Sequence, residues 1–161
     1  ATLEPTNNEG GSRFHVNLFP STLLDTPPER LISLLKPTDQ GVFCVEMSEQ
    51  QFLSDPACLK DHVTAFRESG ILVAMDDVGF GRSSLEALVL LEPDLVKTDR
   101  GYVKGISQQK DKARAIERMV KLVRSLDAEM VAEGIEIPED LAMLKDMGVG
   151  YGQGYLWGLP A

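Results

Sequence analysis

Six times along the chain an apolar, β-branched run ends in a residue that can bind a metal or move a proton. RFHVN ends at Asn17, GVFCVE at Glu46 and ILVAMDD at Asp76-Asp77; DLVKTD carries Lys97 and Asp99, EMVAE ends at Glu133, and GYGQG surrounds Gln153. Asn17, Glu46, Asp76, Asp77 and Glu133 together offer an amide and carboxylates, hard oxygen donors suited to Mg²⁺, Mn²⁺ or Ca²⁺. No cysteine or histidine ends a run, so the pattern does not point to structural zinc. Adjacent aspartates at a strand terminus can place carboxylates on either side of a bend and so bridge or separate two metals. The plainer reading of Asp77 is a loop cap made through an Asx-turn. Lys97 sits inside an otherwise apolar strand, where an unpaired lysine is uncommon. Either it pairs with Asp99, which strand alternation would put on the same face, or it stabilises a developing oxyanion or positions an attacking water.

Smaller signals surround this set. Gly79 and Gly81 flank Phe80 directly after the double aspartate, with Arg82 next, a loop able to approach a ligand or act as a lid. Glu49 and Glu136 lie three residues past Glu46 and Glu133, either as supporting acids or as solvated loop residues. Gln153, between Gly152 and Gly154, is flanked as if backbone must come close to something. His15 and His62 fall outside the constellation and receive no role.

The elements that must position these residues alternate strand and helix. Strands are predicted near 13–18, 41–47, 71–76, 94–98, 128–132 and 150–155. Helices are predicted near 27–36, over 56–69 closed by Gly70, from a Ser83-Ser84 cap to just before Pro93, over 108–126, and from Pro138 to Gly148. That grammar implies parallel strands joined by helical crossovers. The expected fold is α/β, a (βα)-barrel of TIM type, incomplete at about six βα units against the eight of a closed barrel. Residues 1–12 read as a tail or lead-in loop and 13–161 as the partial barrel domain. In such a barrel every strand delivers its C-terminal end to one face, so the strand-end residues read as a single converging site.

At 161 residues, 43% hydrophobic and 25% charged, the composition is that of a soluble globular domain. A formal net charge of −9 argues against a nucleic-acid polymer or an anionic membrane as partner. It leaves room for a phosphate ligand, since carboxylates can hold cations that reverse the local field. Cys44 and Cys58 fit no metal spacing, and Cys44 reads as a buried thiol. No apolar run approaches the length of a membrane span.

Read in order, the segments resemble the EAL domain family, bacterial phosphodiesterases of cyclic di-GMP. The matching motifs are VNL at 16–18, VEMSE at 45–49, DDVGFGRSSL at 76–85, DLVKTDRGYV at 94–103, VAEGIE at 131–136 and QGYLWGLP at 153–160. The resemblance implies a metal-dependent phosphodiesterase using Mg²⁺ or Mn²⁺, with Ca²⁺ inhibitory. Asn17, Glu46, Asp76 and Glu133 would contact the metals and Asp77 would reach the second. Lys97 would order the nucleophilic water, Glu133 is a candidate base, Asp99 and Gln153 would support the site, and Glu49 would anchor the loop after Asp76. The family further implies a homodimer, other signalling domains on the same polypeptide and a cytoplasmic location. Two departures stand out. The glutamate of the EAL tripeptide has no counterpart in this sequence, and Val78-Gly79-Phe80-Gly81-Arg82 stands where the family reads Phe-Gly-Thr-Gly-Tyr. The alternative is a degenerate EAL module that binds cyclic di-GMP or a protein partner without turnover.

Overall fold

Apolar runs such as VFCV and LVAM suit strands covered on both faces, and they form interior strands of the sheet. The computed structural model describes residues 12–35, 41–48 and 56–158. Glu49 and residues 1–11 of the expected tail lie outside the described residues. The chain divides into two compact units, and the breaks at 76/77 and 95/96 fall inside strands.

The first unit takes in the described parts of 7–76 and 80–95. It holds β1 (Ser12–Asn17), α1 (Pro20–Asp25), α2 (Pro28–Leu34), β2 (Gly41–Ser48), α3 (Lys60–Glu68), most of β3 (Leu72–Val78) and α4 (Arg82–Leu91). β1 pairs with β2 and β2 with β3, both parallel. Val45, Met47, Val73 and Met75 are fully buried, together with Val63 and Phe66 from one face of α3 and Leu88 from α4.

The second unit takes in 77–79 and the described part of 96–161. It holds the end of β3, most of β4 (Leu95–Thr98), α5 (Arg100–Val103), α6 (Lys110–Ser125), β5 (Glu129–Glu133), α7 (Pro138–Asp146) and β6 (Tyr151–Gln153). On α6 the residues Ile116, Met119, Val120 and Val123 make the buried stripe, spaced as one helical face requires. They share the core with Val96, Ile106, Ile135, Leu144 and Val149. The lysines and arginines of this helix lie largely on its outer side, as expected of a solvated face. Strand neighbours follow chain order from β1 to β6, and β5–β6 is parallel. Asp94 N–H donates to Val73 O and Asp99 N–H to Val78 O, so β3 and β4 advance in the same sense.

Several predicted boundaries move. Pro20 opens a helix of its own, with Leu23 buried, where the sequence suggests only a lead-in. The predicted 56–69 helix begins as a 3-10 turn at Pro56–Leu59 before α3 proper. The cap of α4 is Gly81 rather than the serine pair, and Ser84 is buried inside the first turn. α5 was not foreseen, because a four-residue helix carries no readable periodicity.

Asp140, in the first turn of α7, is 2% exposed and accepts hydrogen bonds from the N–H groups of Gly105 (2.8 Å) and Ser107 (2.9 Å). Burial by itself would raise its pKa, but the hydrogen bonds from Ser107 and Gly105 and the charge of Lys112 outweigh it and hold the carboxyl below its ordinary value. A depressed folded-state pKa gives stability that is present above the unfolded value, about 4, and lost as the pH falls through the folded one. Asp140→Asn is therefore expected to cost about 1.5–3 kcal/mol at neutral pH. That deficit should shrink when melting is followed down toward pH 3, and an equal deficit at both ends would contradict the assignment.

Candidate active site

The second unit brings four of the strand-end residues into one cluster. Lys97, 6% exposed on β4, has its Nζ 2.7 Å from Glu133 Oε1 at the end of β5. Gln153 on β6, which pairs in register with Glu133, donates from Nε2 to the same oxygen at 2.5 Å. A carboxylate oxygen of Asp77 lies within 4.8 Å of one from Glu133. Like charges at that spacing repel, while taking a lysine and a glutamate out of water costs several kcal/mol each. An apolar pair would fill the same space more cheaply, so this arrangement is one kept for charge rather than for packing.

Asp77 carries the bend that the sequence suggests. Its φ is +57°, in the left-handed region, one residue before β3 ends at Val78. Aspartate enters that region more readily than most residues, and such local strain concentrates at functional sites.

Beside the cluster opens a cleft of about 460 Å³ lined by Arg100, Glu133, Glu136, Gln153, Tyr155 and Trp157. At two of its lining glycines the backbone packs too closely for a side chain. Gly134 has φ +73° and a Cβ there would stand 2.7 Å from Arg100 Cβ. At Gly154 a Cβ would stand 2.1 Å from the Ile135 carbonyl oxygen, so the close backbone approach read from the sequence is real and is made to the β5–α7 link. Glu136 lines the cleft and pairs with Lys104 Nζ at 2.8 Å. Tyr155, Trp157 and Arg100 carry no signal of their own in the sequence beyond their place in the matched motifs.

Asp99 departs from the expectation of strand alternation. β4 stops at Thr98, and Asp99 becomes the N-cap of α5, accepting from Gly101 N–H. The ion pair of Lys97 shown by the geometry is with Glu133 rather than Asp99. The expected loop is also shorter than its sequence span, since Gly81 caps α4 and Arg82 is already helical. Gly79 lies over Tyr102, with a Cβ there 3.6 Å from the ring, and Phe80 is 36% exposed.

In the first unit, register does the gathering. Asn17 pairs with Glu46, and Ser48, two residues further on, pairs with Asp76, so Asn17, Glu46 and Asp76 share one sheet face. Glu46 is 5% exposed, and His15 Nδ1 stands 2.6 Å from its Oε1. His15 is a neighbour of the candidate ligands that the sequence reading leaves without a role. Register between strands decides that contact, and a single sequence does not carry it.

Sequential parallel strands with helical connections between them are the winding of a (βα)-barrel, and in that fold charged residues at strand ends mark the face that carries catalytic or binding groups. The EAL domain model matches residues 2–160, and the chain belongs to that family. The chain is 34% identical over 154 residues to the Escherichia coli protein named "Probable cyclic di-GMP phosphodiesterase PdeA", covering 93% of this chain and 21% of that protein. It is 33% identical over 115 residues to cyclic di-GMP phosphodiesterase RocR of Pseudomonas aeruginosa, covering 71% of this chain and 29% of RocR. Among solved structures, the Klebsiella pneumoniae BlrP1 calcium/cyclic di-GMP complex superposes with a TM-score of 0.78 at 28% identity, over 89% of this chain and 38% of BlrP1. The manganese complex of BlrP1 gives 0.77 at 27% identity, over 91% of this chain and 38% of BlrP1. The chain thus spans under a third of the length of these two curated relatives. No described helix is long and apolar enough to cross a membrane.

Proposed function

We infer that this chain carries the site of a metal-dependent phosphodiesterase that hydrolyses cyclic di-GMP to the linear dinucleotide, in bacterial second-messenger signalling. The observation that carries the reading is the buried Lys97–Glu133 pair, with Gln153 on the same carboxylate and Asp77 alongside. The named activity of RocR and the ligands of BlrP1 support it. Oxygens of Asp77 and Glu133 within 4.8 Å suit one divalent cation, and hard carboxylate donors favour Mg²⁺ or Mn²⁺. On this reading Asn17, Glu46, Asp76 and Glu133 hold the metals and Asp77 reaches the second. Bound divalent cations supply charge neutralisation at the phosphoryl oxygens.

The chain's own residues supply the rest. Lys97 Nζ donates to the attacking water and keeps it in line, and Glu133 accepts its proton as candidate base. Gln153 fixes the Glu133 carboxylate, and Asp99 holds the start of α5, where Arg100 faces the cleft. Tyr155 and Trp157 offer aromatic faces to a guanine and Arg100 offers a fork to a phosphate. Glu136 braces the cleft through Lys104. The same reading makes residues 13–161 part of an eight-stranded barrel, working as a homodimer in the cytoplasm beside other signalling domains.

Chromatography of cyclic di-GMP incubated with the protein is expected to yield the linear dinucleotide with Mg²⁺ or Mn²⁺, and less of it when Ca²⁺ is added. Tight binding with no linear product would make the chain a receptor. The substituted loop Val78–Arg82 is the feature that favours that second reading.

A further inference from the structure

In the first unit a polar contact at one of the candidate ligands is left unused by the phosphodiesterase reading. His15 Nδ1 and Glu46 Oε1 stand 2.6 Å apart. An ionised carboxylate only accepts, so Nδ1 must carry the proton and donate it. The partners differ in exposure: the His15 side chain is 38% exposed and the Glu46 side chain 6%. Register explains how they meet. Asn17 pairs with Glu46, and His15, two residues earlier on β1, projects to the same face and reaches across to β2. A histidine there sits between solvent and a nearly buried acid that the reading above makes a cation ligand.

We propose that His15 is a positioning residue for the divalent cation, its Nδ1–H holding the Glu46 carboxylate in a single orientation before the ion arrives. The inference rests on Glu46 being a cation ligand. A glutamate side chain has three torsions to fix on ligation, and a hydrogen bond already made in the free protein removes part of that ordering cost. Outer hydrogen bonds to ligating carboxylates act in this way, and their removal typically weakens metal binding by about 10–100-fold. The contact is made between side chains of neighbouring strands, and the exposed ring adds little to the core. Removing that donor leaves a nearly buried carboxylate less well satisfied, so the metal-free melting temperature should fall, and a side chain that restores the donor should restore it.

The test titrates Mn²⁺ alone, by calorimetry and by its effect on melting temperature, into wild type, His15→Ala, His15→Asn and Glu46→Gln. Asparagine keeps an N–H donor close to the position of Nδ1. His15→Ala is expected to weaken Mn²⁺ binding about tenfold or more, and His15→Asn to recover most of the loss, with the metal-free melting temperature lowered in His15→Ala and close to wild type in His15→Asn. If His15→Ala binds Mn²⁺ like wild type while Glu46→Gln loses it, the positioning role is wrong and the ligand reading stands. If Glu46→Gln also binds like wild type, or wild type takes up no Mn²⁺, Glu46 is not a ligand and both fall. A loss in His15→Ala that asparagine recovers neither in Mn²⁺ binding nor in metal-free melting temperature assigns the contact to packing and overturns the proposal.

Discussion

Lys97→Ala is expected to lower turnover of cyclic di-GMP by about a hundred- to a thousand-fold while changing ligand affinity little. The ammonium is 2.7 Å from Glu133 and nearly buried, so the field it supplies is little screened. A donor aimed at charge that develops only in the transition state shows in kcat rather than in binding, and losing one such donor typically has an effect of this size. The substitution also strips the partner from a Glu133 carboxylate that faces Asp77, and breaking a buried pair costs about 3–5 kcal/mol. The metal-free variant should therefore melt well below wild type, and saturating Mn²⁺ should recover much of the gap, because cation and lysine neutralise the same oxygens. Turnover within a few-fold of wild type in a folded Lys97→Ala protein would remove the lysine from the chemistry. A variant whose lost turnover tracks an equal loss of ligand binding would make it a binding residue instead.

Which parts of this site were legible in the sequence follows from what each depends on. The residues at the six strand ends could be found because buried parallel strands read as unbroken apolar runs, and a polar residue at the end of one is conspicuous. Lys97, Glu133 and Gln153 meet because β4, β5 and β6 are neighbours in chain order, which the strand–helix alternation already implies. Alternation does not reach Asp99, because it holds only while the strand lasts. Thr98 is the last residue of β4, and the helical turn that follows redirects the Asp99 carboxylate to Gly101.

Other features depend on register or on loop closure, which no local pattern encodes. His15 looks like one more residue of a short strand until β1 is set against β2 and its ring meets Glu46. Asp140 looks like an ordinary acid in a first helical turn, yet it ties the segment after α5 to α7, across 35 residues of sequence. The cleft aromatics Tyr155 and Trp157 are exposed, so no periodicity marks them, and only the fold shows that they line the same cleft as Glu133 and Gln153.

Mg²⁺ or Mn²⁺ is expected to raise the melting temperature of the wild-type protein, and Asp77→Asn to abolish most of that rise. At a hundred times its dissociation constant, a ligand of the native state alone adds about 2.7 kcal/mol, which for a chain of this size is about 5–10 °C. Asparagine is the informative replacement because it tolerates the left-handed backbone that Asp77 adopts at φ +57°. The substitution therefore removes a charge without imposing a new strain. Its effect should change sign with the metal. Without a cation, Asp77 and Glu133 present carboxylate oxygens within 4.8 Å of one another, and removing one charge relieves their repulsion, so the variant should melt at or above wild type. With a cation, the wild type gains a ligand that the variant lacks and should melt higher. That crossing of two melting curves is not produced by a general loss of packing, which lowers stability with and without metal alike. A wild-type curve that does not move across the titration, or an Asp77→Asn rise equal to that of wild type, would take Asp77 out of any metal site.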